Sequence, residues 1–350
     1  MPLAYLILED GSIFEGESFG AQGCITGEIV FTTGMTGYLE TLTDKNYYGQ
    51  IVLQTFPLIG NYGVIPPDFE GNSIALSAYI AKYPCEAPSN FRSEGNLDAL
   101  LKERGIIGLC GIDTRALTKI IRDSGTLNGK ITISPPTTAD RAEAEVYSVS
   151  NAIASVSQDK VATSGSGALR VALMDFGAKR SIFEALNDRG CEVWSFPHNA
   201  SANDILEIKP DGIILSNGPG NPSDIANKAI VETIQKLEQC NITIFGICLG
   251  HQLLALAKGY STQKLKFGHR GANQPIKDVK TGQVYITTQN HGYSIIADSA
   301  SFININDGTN EGMDYGNSFS VQFHPDARSG LLGTSFLFDR FIERMKARAI

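Results

Sequence analysis

The residues best placed to do chemistry lie in the stretch ITIFGICLGHQLLALA, where Gly246, Cys248 and Gly250 form G-x-C-x-G between an apolar strand and an amphipathic helix. This is the thiol form of a nucleophile elbow. A strand-to-helix turn sharp enough to lift a nucleophile above a sheet crowds its neighbours, and glycines remove the clash. The helix that starts there offers its dipole and its free N–H groups, which favour a thiolate and hold the oxyanion of a tetrahedral intermediate. The pattern therefore points to nucleophilic catalysis by Cys248.

A thiolate needs a partner to manage protons, and the histidines are His198, His251, His269, His291 and His324. His251 lies three residues past Cys248 on the same helix, so its ring should point along the helix and away from the thiol. His324 is better placed, because FSVQFHPDA reads as a strand ending at a His-Pro pair, which puts an imidazole at a strand's carboxyl end. Asp326, two residues on, can return to orient the ring. Cys248, His324 and Asp326 are thus the expected nucleophile, base and orienting carboxylate. A third feature, SNGPGNP at 216–222, follows the strand DGIIL and forms a stiff turn whose backbone N–H groups face a substrate or an oxyanion. It is not a phosphate loop of the Walker type, and SGTLNGK at 124–130 lacks both the glycine spacing and a Ser/Thr after Lys130. No cofactor or metal is expected on this chain, and ATP chemistry is expected on another.

The elements that must hold these groups follow from hydrophobic period. From residue 169 the strands LRVALMDFG, CEVWSFP, DGIIL and ITIFGI are nearly continuous apolar runs. They alternate with helical segments at 178–190, 201–210, Asp224–Gln239 and Gly250–Lys258. Such strands imply an α/β fold with a doubly wound, mostly parallel sheet covered on both faces, with catalysis at the strands' carboxyl ends. The earlier part reads as β-rich α+β: LAYLILEDGSIFEG as two strands about Asp10-Gly11, GEIVFTTG as a third, then helices at Leu97–Glu103 and Thr114–Arg122 with Asp113 as N-cap. Residues 1–133 and 169–350 are the expected domains. Pro135-Pro136, an Ala/Glu patch and SVSQDKVATSGSG mark 134–168 as a linker.

Bulk properties set outer limits. At 350 residues the chain exceeds what a single core usually serves, and 42% hydrophobic with 19% charged residues is ordinary globular composition. A net charge of -8 argues against nucleic acid and anionic membranes, which need a basic stripe. With no apolar run near the roughly 20 residues of a spanning helix and no signal-peptide start, a cytoplasmic location is expected. The 6 cysteines form no C-x-x-C pair, so most are expected to be buried small hydrophobes.

Taken together, GICLGHQLLALA, SNGPG and QFHP resemble the class I glutamine amidotransferases over roughly residues 170–346. LEDGSIFEG, GEIVFTTGMTGYLETLTD, PLIGNYG, SNFRS, GIDTRALTK and DFGAKR are similar to the carbamoyl phosphate synthetase small-chain family, as are FGHRGANQPIKD and TTQNHGYS. The resemblance implies that glutamine is bound by Gly218, Gly220, Leu249, Gln252, Asn290, Gly292 and Tyr293. It also implies that ammonia passes to a large chain, which uses ATP and Mg to make carbamoyl phosphate for arginine and pyrimidine synthesis. The N-terminal domain is then the docking module. Two positions depart from the family. Asp326 stands where it has Glu, and Asn46 where it has a Ser that contacts glutamine; Asp is one methylene shorter, so either the loop moves closer or the orienting bond weakens. The alternatives are a glutaminase serving a different synthetase and a non-catalytic regulatory subunit. The first part of the chain argues against the former, and retention of Cys248 and His324 against the latter.

Overall fold

A computed structural model describes residues 1–326, 330 and 333–348, and the chain divides into two compact units, Met1–Ser150 and Asn151–Ile350. In the first, seven strands close into a barrel in the order Leu3–Leu8, Ile13–Gly20, Ile107–Cys110, Ala78–Ala81, Gln50–Gln54, Ile25–Thr32 and Leu127–Thr132. Closure pairs every strand on both sides, so no edge is left open. The helices Leu97–Glu103 and Thr114–Ser124 start where their caps predict, with the Asn96 and Asp113 side chains accepting from the Ala99 and Ala116 N–H groups.

The second unit is built on a ten-stranded sheet ordered Ala162–Ser164, Cys191–Pro197, Leu169–Asp175, Gly212–Leu215, Thr243–Ile247, Phe319–Val321, Asn310–Asp314, Phe302–Asn304, Ser261–Asp278 and Val284–Ile296. Cys191–Pro197 through Phe319–Val321 run parallel, and the sheet continues antiparallel beyond them. Alternate residues of Leu169–Asp175 face opposite cores. Val171 and Leu173 pack with Ile182 and Leu186 of the helix Arg180–Asn187 and with Phe338 and Phe341 of the helix Phe336–Arg348. Ala172 and Met174 pack on the other face with Ile230, Ile234 and Leu237 of Lys228–Glu238 and Leu253 of Leu249–Ala257. Helices therefore cover both faces, which is why these strands carry no polar alternation.

The stretch 134–168, expected as a linker, is structured and shared between the units. Thr137 and Asp140 cap the helix Thr138–Glu145 reciprocally, and Lys130 pairs with Asp140 at 2.9 Å and Glu143 at 2.7 Å. The Ser/Gly-rich remainder supplies the helix Ala152–Val156, which buries Ala152, Ile153 and Val156, and the strand Ala162–Ser164. A few small apolar residues and one capping box hold this segment where composition alone suggested a loose connection. Among the described residues no helix is long and apolar enough to cross a membrane.

Leu173 is fully buried at the centre of one core. Leu173→Ala is expected to cost about 2–5 kcal/mol and to lower the melting temperature by roughly 2–4 °C for each of those. A calorimetric midpoint equal to wild type would contradict that placement.

Candidate active site

The strand Thr243–Ile247 passes into the helix Leu249–Ala257 through one residue, Cys248, whose φ is 54° and ψ -104°. Left-handed backbone at an L-residue is strained and persists only where surroundings enforce it. Here the Cys248 N–H donates to the Val321 carbonyl at 2.9 Å, and the Gly250 N–H donates to the Ser216 carbonyl at 3.0 Å. A Cβ on Gly250 would stand 2.1 Å from the Leu215 oxygen, and one on Gly246 would stand 2.7 Å from the Gly250 oxygen. Both glycines of G-x-C-x-G are therefore required by close backbone approach. The side chain they raise is only 2% exposed.

His324 and Asp326 are brought to this elbow along a shorter strand than expected. Phe319–Val321 ends three residues before His324, and the chain then changes partner: the His324 N–H donates to the Thr288 carbonyl at 2.9 Å. Both side chains are fully buried, with His324 Nδ1 and Asp326 Oδ1 3.6 Å apart, beyond hydrogen-bonding distance. The short aspartate is held from its other side by the Ser181 hydroxyl, which donates to Oδ2 at 2.8 Å. Burial and the nearby Lys179 oppose charge on the His324 ring, but Asp326 and the Cys248 sulfur outweigh them and push it up to about 9. Burial likewise works against the Asp326 carboxylate, yet His324, Lys179 and Ser181 hold it well below the usual range. His251 is placed elsewhere: its Nδ1 lies 2.8 Å from the Ser320 hydroxyl, and burial lowers it to about 3.

The turn after Gly212–Leu215 packs against the elbow. The Ser216 hydroxyl accepts the Phe176 N–H at 2.9 Å, and the Asn217 carboxamide donates to the Gly177 carbonyl at 3.1 Å. Gly218 leaves no room for a side chain, since a Cβ would meet the Phe176 oxygen at 2.3 Å and Leu249 at 2.8 Å; Gly220 has φ 94°. Leu249 opens its helix, so its N–H has no partner within the helix. Asn290, Gly292 and Tyr293 lie on Val284–Ile296. The Asn290 carbonyl is 3.7 Å from Cys248 Sγ. Gln252 spends its amide nitrogen on protein, donating to the Tyr293 carbonyl at 2.9 Å and to Gln322 Oε1 at 3.0 Å, which leaves its Oε1 to accept from a ligand. Asn46 belongs to the first unit, where it is buried in the turn Lys45–Tyr47 with its N–H on Asp44 Oδ1 at 3.0 Å. Lys179, Ser181 and Gln322 were not singled out from sequence. Lys179 lies within DFGAKR and Gln322 within QFHP, and Ser181 directly follows the former.

A second buried set joins His291 of Val284–Ile296 to His269 and Glu311, whose donor atoms lie within 4.8 Å of one another. His269 stands between two carboxylates, with Nε2 2.8 Å from Asp307 and Nδ1 3.3 Å from Glu311. Burial disfavours its charge, but the two carboxylates prevail and push it up to about 9, so the imidazolium itself supplies the cation. His291, beside that charge and wholly buried, is held far below its ordinary value. Its Nδ1–H donates to the Tyr293 carbonyl at 2.8 Å, the same oxygen that receives Gln252.

Residues 6–131 match the family described as carbamoyl-phosphate synthase small chain, CPSase domain, and residues 172–344 match glutamine amidotransferase class-I. Over nearly its whole length the chain is similar to curated relatives. It is 45% identical to the carbamoyl phosphate synthase small chain of Listeria monocytogenes serotype 4b, covering 98% of this chain and 97% of that one. Identity to the small chain of Bacillus caldolyticus is 47%, covering 96% and 95%. The pyrimidine-specific small chain of Bacillus subtilis is 45% identical over 97% of this chain and 95% of its own.

The His269 pair gives a pH-dependent stability. A histidine raised in the folded state stabilises fully below its unfolded value of 6.5, and that contribution disappears as pH rises through about 9. The melting-temperature gap between wild type and His269→Gln is therefore expected to be widest near neutral pH and below, and to narrow on the alkaline side. A gap that widens with pH would show that His269 is neutral.

Proposed function

This chain belongs to the family of carbamoyl-phosphate synthase small chains, and on that premise we propose that Cys248, His324 and Asp326 perform its glutamine hydrolysis. The chain is the glutaminase subunit of a glutamine-dependent carbamoyl phosphate synthase, releasing ammonia from glutamine for carbamoyl phosphate synthesis. Its partner is the synthase large chain, paired with it as a heterodimer. ATP, Mg and bicarbonate are assigned to that chain, and no cofactor to this one. The observation that carries the site assignment is the strained elbow, which holds Cys248 at a helix N-terminus among the glycine turn, His324 and the Asn290 carbonyl.

The chemistry follows from the positions. Cys248 passes its thiol proton to His324, and the electron pair left on sulfur attacks the side-chain carbonyl carbon of glutamine. The carbonyl π pair moves to oxygen, where the Leu249 N–H and the backbone of Gly218 to Gly220 receive it. The intermediate collapses by breaking the C–N bond, and the nitrogen leaves as ammonia with the proton from His324. Water then loses a proton to His324, adds to the thioester and releases glutamate and the thiol. Gln252 Oε1 suits the substrate α-ammonium, while Asn290, Gly292 and Tyr293 complete the glutamine contacts.

Cys248→Ser is expected to abolish glutamine-dependent carbamoyl phosphate synthesis by the assembled enzyme while ammonia-dependent synthesis continues. Retained glutamine use would remove Cys248 from its role. His324 must keep its proton until ammonia departs, so the alkaline limb of kcat tracks the imidazolium. Asp326→Asn deletes the charge that raises it. That limb should move to lower pH, with a smaller loss of kcat at neutral pH than Cys248→Ser causes. A profile superimposable on wild type would reduce the catalytic set to Cys248 and His324.

A further inference from the structure

The sulfur of Cys248 has a neighbour that none of the steps above employs. Gln322 is wholly buried one residue beyond the strand Phe319–Val321, and its Nε2 lies 3.8 Å from Cys248 Sγ. Which end of this carboxamide faces the sulfur follows from donor accounting. The Tyr293 carbonyl only accepts, so the group 2.9 Å from it on Gln252 is the NH2. The same nitrogen lies 3.0 Å from Gln322, so it must meet the Gln322 oxygen. That leaves the Gln322 NH2 for the sulfur. The backbone is equally constrained, for the Gln322 N–H donates to the Glu311 carbonyl at 2.9 Å, and the preceding Val321 accepts the Cys248 N–H at 2.9 Å. Donor and sulfur thus ride on one rigid junction.

We propose that Gln322 is a further catalytic residue, whose amide N–H holds the negative charge that Cys248 Sγ carries. When the thiol proton passes to His324, the electron pair on sulfur points at a preorganised donor in a buried site. When water adds to the thioester, the C–S bond breaks and its electron pair returns to sulfur, against the same donor. Attack neutralises that charge and expulsion restores it, so the donor favours thiolate formation and thioester breakdown above all. Charge-assisted hydrogen bonds of this kind are stronger than neutral ones. The inference rests on the assignment of Cys248 as nucleophile.

The test uses the assembled two-chain enzyme and two variants of matched size. Gln322→Leu removes the donor and the acceptor; Gln322→Glu keeps the oxygen that receives Gln252 and turns a second oxygen toward the sulfur. Alkylation of Cys248 by iodoacetamide, followed by the mass of its peptide across a pH series, is expected to slow about tenfold or more at neutral pH in both, a loss on the order of 1.4 kcal/mol. The rate profile should move to higher pH. Glutaminase kcat should fall while KM changes little, and the glutamyl thioester should accumulate on acid quenching. The calorimetric melting temperature of each variant chain reports that it is folded. Should Gln322→Leu fail that check, Gln322→Glu decides by the same alkylation readout. Wild-type alkylation in a folded variant overturns the role of Gln322 alone, whereas glutamine use by Cys248→Ser overturns the nucleophile itself.

Discussion

Cys248 holds a backbone conformation that costs an L-residue about 1–3 kcal/mol, and the chain on both sides is shaped to keep it there. Two parallel strands supply the clamp, because the Cys248 N–H is bound to Val321 on one side and the Gly250 N–H to Ser216 on the other. The same two anchors carry the rest of the site. Beyond Val321 come Gln322, His324 and Asp326; beyond Ser216 come Asn217 and the glycine turn. Relaxing the elbow would release both, so strain at one residue and order at several others are aspects of a single constraint. The covered faces of the sheet oppose that relaxation with two hydrophobic cores.

The electrostatics divide four buried histidines by their neighbours. His324 and His269 each face carboxylate and are pushed up to about 9, while His251 and His291 face none as close and lose to burial. Burial alone always favours the neutral ring, so each charged histidine marks where the fold has invested a buried acid. At His324 the acid is Asp326, set by Ser181 at a distance where it acts through its field more than through a bond. At His269 the acids are Asp307 and Glu311, and the consequence reaches the strand Val284–Ile296 through neutral His291, which can then donate to Tyr293.

Much of this arrangement was legible in the residues because the governing constraints are local. G-x-C-x-G, the capped helices and the apolar strands 169–175, 212–215 and 243–247 each record a steric or burial rule within a few positions. The long hairpin of Ser261–Asp278 and Val284–Ile296 was not read, since its strands are largely polar and its pairing shifts register twice, between Lys264 and His269 and between Gly271 and Gln274. Bulges break the period-2 pattern on which such a reading depends. The role of Ser181 and the orientation of Gln322 were also out of reach, because each depends on a partner 145 or 74 positions away. The segment 134–168 shows the same limit, as its anchors are a capping pair and a few small buried side chains rather than a hydrophobic run.

The distribution of thiols has a bearing on oxidative damage. Cys24 and Cys240 are exposed, Cys110 and Cys191 are buried with their thiols pushed up to about 11 by desolvation, and Cys248 sits sealed in the elbow. Peroxide, disulfide reagents and bulky electrophiles therefore meet two surface thiols before Cys248, and the two buried ones stay protonated and inert. Total thiol titre then measures weathering of the protein's exterior, and a preparation can lose a third of its six free cysteines with Cys248 untouched.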